Sequence, residues 1–168
     1  MKRIFSLALA AALLAAALTA CGSPSGGGQD KQIDLAAFAQ TVQKDHSFSN
    51  LDRLDPEDEE FGVTMLENVY PGLKDMDLAQ TEIYMAMVSF SGGELALVQA
   101  KNADDAARVK EIFDARITAK TTEGPGNYPE EVEMWQHDSA VVSNGNYVML
   151  VNHGDSEAII SEFNALFS

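Results

Sequence analysis

Positive charge is scarce in this chain. Eleven lysines and arginines stand against 26 aspartates and glutamates, a formal net charge of −15 over 168 residues. A body this acidic repels phosphate backbones, which argues against nucleic-acid binding. It also offers no polybasic route onto anionic lipid. Cysteine is scarcer still: Cys21 stands alone, so no intramolecular disulfide can form. Proline is sparse, and there is neither a Gly-rich phosphate loop nor an HExxH pair. Apolar residues are plentiful, at 46% of the chain, enough for a modest core in one domain.

The one cysteine has a telling address. Met1-Lys2-Arg3 is a short basic start, and residues 4–17 form an Ala- and Leu-rich run too short to span a bilayer comfortably. Leu18-Thr19-Ala20-Cys21 then resembles the bacterial lipobox. The resemblance implies that residues 1–20 are a lipoprotein signal peptide and that Cys21 is acylated, carrying diacylglyceryl and palmitate-type chains. The competing reading is an ordinary signal peptide with an incidental cysteine. Two or more acyl chains hold a protein stably on a bilayer, at about 0.8 kcal/mol per buried methylene. Loss of Lys2 and Arg3 with the leader leaves nine basic residues and a net charge of −17. Residues 21–31, rich in Gly and Ser, form a flexible linker with a typical reach of roughly 18 Å. The expected location is the extracytoplasmic face of the cell membrane.

Residues 32–168 are expected to form a single α+β domain. Asp34 has the position of a helix N-cap, with Ile33 and Phe38 spaced as a hydrophobic staple and Leu35, Phe38 and Val42 on one face. This predicts an N-terminal amphipathic helix ending near Asp45-His46. Residues 55–60, Asp-Pro-Glu-Asp-Glu-Glu, invite a calcium reading. They lack the alternating ligands and sixth-position glycine of an EF-hand loop, and weak calcium binding is the minor alternative. The better reading has Asp55 capping a helix, Pro56 in its first turn and Gly62 as a weak spot within it.

Residues 82–90 read as a strand returning through Gly92-Gly93 into residues 94–100. That turn would set Val88 opposite Leu97 and Met87 opposite Val98. Both faces are apolar, so the sheet should be covered on more than one side, or one face waits for a partner. Asn102 to Asp105 starts the next helix as a capping box, with Lys110, Arg116 and Lys120 on its later turns. A second hairpin turns at Asn144-Gly145, with Ser143 opposite Asn146, and a last helix follows an Asp155 cap. The predicted architecture is an antiparallel four-stranded sheet from two ββα repeats, with helices packed on it.

The spaced positions Glu94-Leu95-Ala96, Ala106, Val109-Lys110, Arg116, Tyr128-Pro129-Glu130-Glu131, Val141-Val142 and Gly145-Asn146-Tyr147-Val148 resemble a known family. It is a domain of unknown function found in small secreted lipoproteins, mostly of clostridial-type Gram-positive bacteria. The resemblance implies a fold and a location, and no catalytic residues.

No cofactor, metal or catalytic set emerges from the residues themselves. In the expected register His137 falls opposite Asn152 and His153 points to the other face, so they do not co-ligate one ion. With His46 in an early loop, all three read as solvated. Tyr84, Phe90, Tyr128 and Trp135 are candidates for an interaction surface, centred on residues 121–128 and Trp135. The expected function is therefore a non-catalytic binding module, with an envelope protein or a small ligand as partner. The alternative is an envelope hydrolase using carboxylates such as Glu130, Glu131 or Asp138.

Overall fold

A computed structural model describes residues 32–48, 50–87, 93–122 and 129–168. Asp34 opens the first helix, α1 (Leu35–Asp45), its Oδ1 accepting from the Ala37 N–H at 3.0 Å. Ile33 and Phe38 flank that cap and enter the same core, as the staple spacing predicts. Short strand β1 (Leu51–Arg53) follows, then α2 (Gly62–Val69), β2 (Leu78–Ala86) and β3 (Glu94–Ala100). The long helix α3 (Ala103–Thr122) and α4 (Pro129–His137) precede β4 (Ser139–Asn144), β5 (Tyr147–Asn152) and α5 (Ser156–Ala165).

The sheet has five antiparallel strands in the order β1-β2-β3-β5-β4, where four were expected. The addition is β1, whose three residues are too few to show alternation. Both hairpins lie in this one sheet. Their helices do not share a face: α3 packs on one side and α5 on the other, so the two ββα units are not matching repeats. Leu95, Leu97, Tyr147, Met149 and Val151 face α1 and α5, while Ala96, Val98, Val148 and Leu150 face α2, α3 and α4. The central strands β3 and β5 are thus buried on both sides, as near-continuous apolar runs require.

The first hairpin departs from its expected register. Leu97 lies opposite Glu82 and Val98 opposite Thr81, a slip of six residues from the pairing with Val88 and Met87. An even slip keeps every side chain on its face, so apolar patterning alone does not choose between the two. Gln80 and Gln99 lie opposite each other in this ladder, and Gln80 Nε2 donates to Gln99 Oε1 at 2.6 Å. In this register Gln80 accepts from the Leu35 N–H at 3.0 Å and donates to the Ile33 carbonyl at 2.8 Å, tying α1 to the sheet. Arg53 on β1 reaches Glu82 through both Nε and Nη2, at 2.9 and 3.1 Å.

The second hairpin is shifted by two residues: Asn144 pairs with Tyr147, and Ser143 with Val148 rather than Asn146. Gly145 takes the first loop position with φ of 55°, where a side chain is disfavoured, so glycine and not Asn144 leads the turn. His137 therefore ends α4, and Ser139 holds the place opposite Asn152. Residues 55–61 are turns rather than the first turn of a helix. Asp55 accepts from the Glu57 N–H, Asp58 accepts from the Glu60 and Phe61 N–H groups, and α2 begins only at Gly62. A Cβ on Gly62 would lie 1.8 Å from the Asp55 carbonyl oxygen, so this glycine is where two backbone segments touch.

Candidate binding site

Glu94 heads β3, directly before the buried run Leu95 to Val98. A carboxylate at the head of a strand covered on both faces is cut off from water and needs a cation. Arg116 on α3 supplies it. Its Nε donates to Glu94 Oε1 at 3.1 Å and its Nη2 to Oε2 at 2.8 Å, a two-pronged pairing with only 3% of the glutamate side chain exposed. Tyr70, just past α2, donates its hydroxyl to the same Oε1 and packs its ring against Phe113 at 5.3 Å. Burial, reinforced by the Glu94 charge, raises the Tyr70 pKa well above the usual phenol range, so the group stays a donor. Burial is the strongest single influence on Arg116 and works against its charge, but Glu94, Tyr70 and Glu131 together outweigh it and raise its pKa.

Two helices close around this pair. Arg116 and Lys120 are one turn apart on α3, and Glu131 and Trp135 are one turn apart on α4. Lys120 Nζ donates to Glu131 Oε1 at 2.8 Å. The indole of Trp135 receives both cations, with the Arg116 Cζ 5.4 Å and the Lys120 Nζ 5.8 Å from its ring centroid. These side chains line a cavity of about 250 Å³ together with Val69, Met85 and Met87. That is just below the roughly 300–1,000 Å³ of drug-sized sites and suits a smaller molecule. Only 9% of the Glu131 side chain is exposed. Its second oxygen, Oε2, is buried and meets no hydrogen-bond donor among the described residues.

Residues 53–153 match the family model described as Domain of unknown function (DUF4358). The chain belongs to the DUF4358 family. The matched stretch contains the whole cluster from Tyr70 to Trp135 and leaves out α1 and α5. No curated protein and no solved structure matches the chain.

Within the DUF4358 domain the residues singled out from sequence fall in different places. Trp135 is 2% exposed, in the cavity wall. Tyr84 lies on β2 and packs with the core on the opposite face of the sheet, so these two residues do not share a surface. Its hydroxyl donates to Glu82 at 2.8 Å, and burial, helped by that bond, pushes its pKa up to about 12. Phe90, Tyr128 and Cys21 lie outside the described residues. Of the carboxylates named for hydrolysis, Glu131 is paired with Lys120, Glu130 is exposed, and Asp138 offers its backbone oxygen to the His153 N–H.

The histidines are not all solvated. His137 is exposed, but His46 is only 11% so, its Nδ1 facing Asp155 at 3.1 Å and its Nε2 facing Glu162 at 3.0 Å. Among the described residues, no group of three or more His, Cys, Asp or Glu is placed to hold a metal ion. The acidic run at 55–60 is engaged in turns instead.

Sequence reasoning placed Arg116 and Lys120 on late turns of α3 as complements to the helix dipole and did not connect them to Glu94. A signal was present. A glutamate leading four consecutive apolar residues of a buried strand requires a buried cation. The Arg116/Lys120 and Glu131/Trp135 pairs share the one-turn spacing that lets two helices meet charge to charge.

Proposed function

We propose that this DUF4358 protein is a membrane-anchored lipoprotein of clostridial-type Gram-positive bacteria whose domain binds a small ligand outside the cell. The ligand site is the cavity between β2, β3, α3 and α4. One observation carries the reading: two cations, two carboxylates and the chain's one tryptophan converge on a concave space that Val69, Met85 and Met87 also line, and one buried carboxylate oxygen is left unmatched among the described residues. The lipobox-like Leu18-Thr19-Ala20-Cys21 and the linker behind it support the anchor. No helix among the described residues is long and apolar enough to cross a membrane. Binding is favoured over hydrolysis because both carboxylates in the cavity wall are committed to cations.

Native mass spectrometry of the mature protein, purified from membranes in detergent, tests both halves. The account expects an acylated Cys21 and a small-molecule adduct that weakens in Lys120→Met. An unmodified amino terminus would contradict the anchor. No adduct under any gentle release condition would contradict the ligand site.

A further inference from the structure

The chemistry left unmatched in the cavity narrows what it can hold. Arg116 uses Nε and Nη2 on Glu94, and Lys120 uses one of its three N–H bonds on Glu131. Among the described residues, Nη1 and the remaining ammonium protons meet no acceptor. Glu131 Oε2 is the opposite case, a buried acceptor that meets no donor among the described residues. Such an oxygen is costly to leave unmet. Glu131 is among the residues that line the cavity, and the terminal torsion of a glutamate is soft.

A ligand with a negative group alone would leave Oε2 unmet and approach a body of net charge −15. A ligand with a positive group alone would set its charge beside Arg116 and Lys120 with nothing to offset them. The two carboxylates and two cations sum to zero, and a molecule carrying one charge of each sign preserves that balance. We infer that the cavity takes a small zwitterion of amino-acid size. Its ammonium group sits on Glu131 Oε2, its carboxylate bridges Lys120 and Arg116 Nη1, and its side chain lies toward Val69 and Met85. A cavity of about 250 Å³ admits a molecule of this size. The inference rests on the ligand-site reading above and adds the class of ligand to it.

Trp135 is the chain's one tryptophan and stands in the cavity wall, so intrinsic fluorescence reports on this site directly. The mature full-length protein in detergent would be titrated with L-alanine as the zwitterion, methylamine as the ammonium alone and acetate as the carboxylate alone. The expected result is a saturable change with alanine, and binding weaker by about tenfold or more for each single-charge probe. Glu131→Gln, its folding checked by circular dichroism, should weaken alanine by a similar factor. The three-probe comparison on the unaltered chain stands whether or not that variant folds. Acetate binding as tightly as alanine, and tightening further in Glu131→Gln, would overturn the zwitterion while leaving a ligand site for anions. No response to any probe would also overturn it. The broader reading would then fall only if native mass spectrometry also found no adduct.

Discussion

Removing one half of the Glu94–Arg116 pair leaves the other charge buried alone, a cost of about 3–5 kcal/mol. Urea unfolding of Glu94→Gln should show a loss of that size. Replacing both residues with methionine should recover much of it, because the pair was desolvated together. Equal destabilisation in the double variant would mean that the pair itself, and not the orphaned charge, holds α3 to the sheet. Gly62 gives a second residue-scale prediction, opposite in sign to helix propensity. Alanine is favoured over glycine inside a helix by about 0.8–1.0 kcal/mol. Here its Cβ would collide with the Asp55 carbonyl oxygen, so Gly62→Ala should lower the melting temperature. An unchanged or higher melting point would show that residues 55–61 move aside without cost.

Between elements, α1 and α5 are clasped across the face of the sheet by His46. Asp155 precedes α5 without a side-chain capping bond, and its carboxylate faces His46 instead. Both ring nitrogens of His46 face carboxylates, an arrangement in which the imidazolium form donates twice. Burial opposes that charge most strongly of the single influences, but the bonds to Asp155 and Glu162 together raise the pKa above the ordinary imidazole value of about 6.5. The clasp's contribution to stability is therefore complete below about pH 6.5 and is lost as the pH rises through the folded-state value. His153, beside it and beneath Phe48, behaves oppositely. Burial lowers its pKa, and its Nδ1 accepts from the Asp155 N–H. Denaturant unfolding of the natural chain and His46→Gln at pH 5.5 and 8.5 isolates the first effect. The difference between them should shrink at the higher pH, and a difference that grows would contradict the clasp.

Local signals were legible at this scale where a side chain acts on its own element. Asp34 and Asn102 cap the helices they precede, and α1 ends where its apolar spacing ends. The unbroken apolar run of residues 95–98 implied cover on both faces, and both faces of β3 are buried. Strand register was not legible, because Gly92-Gly93 is a strong turn signal while Gln80 and Glu82 of β2 find partners at Ile33 and Arg53, far back in the chain. The site was hidden for the same reason. Glu94, Arg116 and Glu131 each look ordinary alone, and only the sheet and two helices bring them together.

At the scale of the whole molecule, the proposed lipid anchor and the proposed ligand site can be tested separately. The anchor rests on a single sulfur: Cys21→Ser should move the protein from the membrane fraction to the soluble one without changing how its domain unfolds. Retention of the serine variant in membranes would require a different attachment. The ligand site has its own direct reporter, since the indole N–H of Trp135 gives one resonance in a protein labelled at its one tryptophan. The decisive measurement follows that resonance as small molecules extracted from the cell envelope are added to the mature protein. The account predicts a shift that saturates and that Lys120→Met diminishes. A resonance that stays fixed while a bound small molecule is detected on the protein would place the ligand elsewhere and contradict the account.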